Sequence, residues 1–191
     1  MVKNILVAIL LTSGIYSFGQ ETSEQVVRPG LIRAQGTISF GSFSDLDQSG
    51  LYLHGDLEYY LNPNITARGD LYFYLKPNNE SILEHNHQLF SGASYHIATG
   101  SNIDPYIGLQ PGLAVSQVSN TILTAGNKNP RPAASPLISG VFGFNYYAAK
   151  WFHLFADARY VYGDHQSNIG TLSLNEFRFS FGLGFNIQTK K

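Results

Sequence analysis

The chain contains no cysteine, which excludes a disulfide framework, thiol catalysis, a zinc–thiolate site and a lipidated N-terminal cysteine. Charge is also scarce: 13% of 191 residues, about half the usual quarter. Twelve Lys+Arg against 13 Asp+Glu leave a net charge of −1 and no basic face for nucleic acid. Lysine occurs only at Lys3, Lys76, Lys128, Lys150, Lys190 and Lys191, outside every segment that alternates like a strand. Long hydrophobic runs are missing too, and no stretch approaches the roughly 20 apolar residues of a spanning helix.

What is present is aromatic and glycine-rich: 14% Phe, Trp and Tyr, with 19 Gly, which argues against a disordered chain. Lys3, the short run Ile5 to Leu11 and the small residues Ser17 and Gly19 have the layout of an export signal. The expected division is a signal peptide over 1–19, cleavage before Gln20, an N-terminal segment over 20–30, one domain over 31–187 and a tail over 188–191. Without a helical span, the exported chain either stays soluble or crosses a membrane as strands.

From Gly30 onward the dominant period is two, in eight segments, which predicts an all-β, eight-stranded antiparallel up-and-down barrel. The last segment is the clearest: Phe177, Phe179, Phe181, Leu183, Phe185 and Ile187 alternate with Glu176, Arg178, Ser180, Gly182, Gly184 and Asn186. Every strand charge falls in the second set: Arg33, Asp56, Glu58, Arg68, Asp70, Asp157, Arg159, Glu176 and Arg178. A soluble barrel would turn these to water and line a ligand cavity with the apolar set. Three features oppose that: the absence of lysine from strands, the glycines Gly92, Gly108, Gly112, Gly143, Gly182 and Gly184 in the charged set, and a phenylalanine row too bulky for an eight-stranded interior. The apolar face is therefore expected outside, against lipid.

Several details fit a transmembrane barrel. Segments of 9 to 11 residues suit a tilted spanning strand. Tyr59, Tyr95, Tyr146, Trp151, Phe152 and Phe185 gather toward one rim, and Tyr160, Tyr162 and Phe177 toward the other, as interfacial girdles do. Connections after even segments are short and those after odd ones longer, the longest being 117–136. Pro111 inside the fifth segment lacks an amide hydrogen, so a bulge at 110–112 is expected. The inward charges predict cross-strand ion pairs that fill the interior.

Leu61-Asn62-Pro63-Asn64-Ile65, Arg68-Gly69-Asp70-Leu71, Ser91-Gly92-Ala93-Ser94-Tyr95-His96, Pro105-Tyr106-Ile107-Gly108, Ala158-Arg159-Tyr160 and Phe181-Gly182-Leu183-Gly184-Phe185 together resemble a small OmpA/OmpX-type outer-membrane β-barrel protein. The resemblance spans about 30–187. It implies a Gram-negative outer membrane, contact with its lipid, handling by the barrel-assembly machinery, no cofactor, and a structural or surface-interaction role through external loops rather than an enzymatic one. No extracellular partner is implied by any residue.

Two other readings compete. His165-Gln166-Ser167-Asn168 with Glu176 beyond resembles the motif of outer-membrane lipid A deacylases, with His165 activating Ser167. The gap from Ser167 to Glu176 looks short for that family, and Glu176 falls in the inward set. A secreted soluble barrel with an apolar ligand is the third reading. His85 and His87 offer two imidazoles, too few for a metal centre, so no metal is expected.

Overall fold

The computed structural model describes residues 26–75, 81–119, 130–168 and 170–189. The expected signal peptide, its cleavage site before Gln20 and most of the N-terminal segment lie outside them. Among the described residues the strands are β1 (Leu31–Phe43), β2 (Ser49–Tyr60), β3 (Ile65–Tyr74), β4 (Leu83–His96), β5 (Ile103–Val118), β6 (Ala133–Ala149), β7 (Phe152–Ser167), β8 (Gly170–Ser173) and β9 (Glu176–Gln188).

Consecutive strands from β1 to β7 pair antiparallel, β7 pairs β9, and β9 returns to β1, so eight strands close a barrel. The ninth, β8, only extends the outer end of β7 as a hairpin. Closure leaves no barrel strand with an unpaired edge, which is how a sheet survives in hydrocarbon. Turns at the rim holding Leu31 and Gln188, the near rim, are tight. At 61–64 the Asn62 side chain accepts amide hydrogens from Asn64 and Ile65 at 2.9 and 2.8 Å. At the opposite end, the far rim, lie the strand ends Phe43 and Ser49, Tyr74 and Leu83, Val118 and Ala133, and Glu176.

Side-chain direction follows the two-residue period. The Phe177-to-Ile187 row of β9 is exposed on the outer wall at 46–58%, whereas Glu176, Arg178 and Ser180 are fully buried. That row rises about 26 Å along the barrel axis at ~3.4 Å per residue and ~40° tilt, the height of an outer-membrane hydrocarbon band. Tyr59, Tyr95, Tyr146, Trp151, Phe152 and Phe185 lie at the near rim, where Trp151 stacks on Phe185 at 6.2 Å. Tyr160, Tyr162 and Phe177 lie farther up β7 and β9, with Tyr160 opposite Phe177.

Two expectations are corrected. Every barrel strand except β3 exceeds the 9 to 11 residues that the spacing predicts, and β5, β6 and β7 reach 16, 17 and 16, because the ladder continues past the apolar band. No bulge occurs at Pro111: rungs to β4 stop at Phe90↔Gly112 and resume at Ala93↔Leu109 in the same register. The rungs to β6 run unbroken through Pro111↔Ile138. The imino nitrogen costs two rungs toward one neighbour, and the ladders on either side hold the frame.

Both mouths are closed by apolar side chains. At the near rim Val26 and Val27 fold over Leu31, Tyr60 and Tyr147. Gly30, at φ +85°, makes the turn into β1, and its amide donates to Tyr60 O at 2.9 Å. At the far end Phe43, Tyr74, Leu83, Val118, Leu137, Val161 and Leu174 form a second apolar cluster inside the wall.

Candidate functional site

Between the two apolar plugs the interior is a stack of ionised layers. In the lowest, Arg33 pairs with Glu58 and lies 3.3 Å from Asp104. His96 stands between the same two carboxylates, Nε2 3.0 Å from Glu58 and Nδ1 2.9 Å from Asp104. The imidazole thus bridges the two acidic side chains across the axis, one ring nitrogen to each. Tyr60 and Tyr147 hydroxyls donate to Asp104 at 2.9 and 3.0 Å, and Thr66 donates to Glu58.

The middle layer is the densest. Arg68 reaches Asp70, Asp56 and Asp157 at 2.8, 3.2 and 3.4 Å. Arg159 lies 2.8 Å from Asp70 and donates to Gln110 and Ser139 at 2.5 and 2.6 Å. Gln110 donates in turn to Asp70 at 2.7 Å. Tyr106 donates to Asp157 at 3.2 Å. In the upper layer Arg178 binds Glu176 at 2.5 Å and lies over the Tyr52 ring at 3.9 Å, while Tyr52 donates to Glu176 at 2.7 Å.

The structure thus brings Arg33 together with Glu58, gathers Arg68, Arg159, Asp56, Asp70 and Asp157, and joins Arg178 to Glu176. Asp104 and Tyr147 also line the axis, although neither belongs to the inward charged set read from the sequence. Both keep the inward parity, Asp104 with Tyr106 and Tyr147 with Asn145, so extending the alternation by one step finds them.

A closed layer of this kind serves structure. Desolvated charges are costly unless paired, and guanidinium forks fill the axis while satisfying several carboxylates at once. His54, Asp56 and Asp70 offer ligand atoms within 4.8 Å of one another, but Arg68 and Arg159 occupy those carboxylates, so the donor set suits guanidinium rather than a metal cation. His87 stacks on Phe73 at 4.2 Å and its Nδ1 accepts from the Tyr74 amide at 3.1 Å. His85 stacks beside it at 5.7 Å.

The deacylase-like residues are spread out. Glu176 sits opposite Val161 on the ladder, so His165 lies about 13 Å farther along β7 at ~3.3 Å per residue. Glu176 is engaged by Tyr52 and Arg178 instead. The hydroxyl 2.7 Å from His165 Nδ1 belongs to Ser116 of β5. Ser167 ends β7.

No family model matches the chain, and no curated protein matches it. Solved structures do. The outer membrane protein OprG from Pseudomonas aeruginosa superposes with TM-score 0.67 at 14% identity, over 86% of this chain and 99% of that one. Neisserial surface protein A gives 0.61 at 19%, over 83% and 96%. The N-terminal barrel of Pseudomonas aeruginosa OprF gives 0.58 at 15%, over 83% and 98%. The chain has the fold of the small eight-stranded outer-membrane barrels of the OmpA/OmpX type.

Proposed function

We propose that this protein is a closed, side-chain-filled barrel of a Gram-negative outer membrane, exported by residues 1–19, with a structural or surface-interaction role exercised through its far-rim loops. The observation that carries the reading is Arg68, 2% exposed, joined to three carboxylates from β2, β3 and β7 across the axis. A barrel cross-linked at mid-height has no room for a hydrated ion. Its wall meets outer-membrane lipid. The alternating last strand, ending at Phe185 and Ile187, is what the barrel-assembly machinery handles during insertion. The far-rim connections face the exterior and contact partners there.

The reading is non-enzymatic, and the commitment of Glu176 to Tyr52 and Arg178 supports it. Cell fractionation with a heat-modifiability gel tests location: a folded band in the outer-membrane fraction is expected, and a soluble periplasmic band sinks the reading. Planar-bilayer recordings are expected to show no stable unitary current, and large regular steps refute the filled interior. Lipid A from overexpressing cells is expected to keep its mass.

A further inference from the structure

The outer wall is not uniformly convex. Across β3 to β7 it is indented by a groove of about 650 Å³, within the ~300–1,000 Å³ range of clefts that hold small ligands. Ala93 and Gly140 lie low in it, and Tyr95, Ile107, Phe142 and Tyr160 rise around them, all with apolar bodies. A Cβ added at Gly140 would meet nothing within 4 Å, so the indentation is open space beyond the backbone. The ladder beneath is intact through Ala93↔Leu109 and Leu109↔Gly140, so the groove is a surface feature and not a passage into the barrel.

From this shape we propose that the groove is a binding site for one acyl chain of a bilayer phospholipid, held longer than the lipids around the rest of the wall. The inference rests on the membrane-spanning reading above. The groove is continuous with the apolar wall that the reading turns to hydrocarbon, and it carries no ionised side chain. A second copy of the barrel is a poorer occupant, because two convex cylinders meet along a ridge and leave a hollow unfilled. A flexible hydrocarbon chain follows the hollow and fills it. Tyr95, toward the near rim, places a phenol where the ester and headgroup oxygens of that chain would lie.

The test is native mass spectrometry of the full-length mature protein extracted from membranes in mild detergent, comparing wild type with Gly140→Phe and Gly36→Phe. Gly36 also faces open space on the outer wall but lies on β1, away from the groove, and serves as the control. Wild type and Gly36→Phe are expected to retain one phospholipid. In Gly140→Phe the phenyl ring displaces several methylenes, and retention is expected to fall about tenfold. Equal retention in all three, or none in wild type, overturns the proposal. So does a wild-type dimer that Gly140→Phe converts to monomer, which assigns the groove to a second copy. Heat-modifiability of each variant shows whether the barrel has folded. A folded outer-membrane barrel without retained lipid defeats the groove site alone, whereas a soluble periplasmic wild type defeats the membrane reading as well.

Discussion

Arg68→Met is the sharpest perturbation of the interior. The substitution keeps most of the side-chain volume but removes the cation shared by Asp56, Asp70 and Asp157 at 3.2, 2.8 and 3.4 Å. Arg159 then faces three carboxylates, and it lies near only one of them, Asp70, at 2.8 Å. Leaving buried charge uncompensated costs about 3–5 kcal/mol, and proton uptake by an abandoned carboxyl limits the loss to that order. With a urea dependence of ~2 kcal/mol per molar, the unfolding midpoint should fall by about 2 M. Trp151 is the single tryptophan and reports the transition by fluorescence in lipid vesicles. Arg68→Met combined with Asp56→Leu removes one charge of each sign and is expected to recover at least half of the lost stability. A single variant within about 1 kcal/mol of wild type, or a double variant no better than the single, refutes the claim that the layer is held by charge balance.

Further consequences are as definite. A Cβ at Gly92 falls 2.9 Å from Gln110 Cα, so Gly92→Val should block closure and yield no heat-modifiable band, whereas Gly36→Val should fold. Phe181→Arg places a charge on the outer wall and should cost about 2–4 kcal/mol in vesicles, but far less at Trp151 on the rim, measured by the same urea titration. Val27→Asp puts a carboxylate into the plug over Tyr60 and Tyr147 and should lower stability by about 1.5–3 kcal/mol. Faster amide exchange at the near-rim end of β1 should accompany it.

How much of this was legible beforehand depends on distance along the chain. Strand identity and the facing of each residue are properties of the two-residue period, so Phe177 to Ile187 and Arg33 to Arg178 declare their sides locally. Strand ends are less legible. The ladder of β5 begins at Ile103 because β6 supplies partners there, which draws Asp104 inside. The pairing of Ser116 with His165 joins residues 49 positions apart and has no local signal. Nor do the hairpin of β8 and the groove beside Gly140, which depend on how neighbouring strands are staggered.

The central claim is that the greasy side chains face out and the ions face in. Because the chain has no cysteine, single cysteines can be placed at 178 through 183 of β9, spin-labelled, and measured in reconstituted vesicles for collision with oxygen and with a water-soluble nickel complex. Oxygen access is expected to be high at 179, 181 and 183, access to both reagents low at 178, 180 and 182, and the alternation strictly two-residue. High nickel access at 178, 180 and 182 with 179, 181 and 183 shielded from oxygen would contradict the claim.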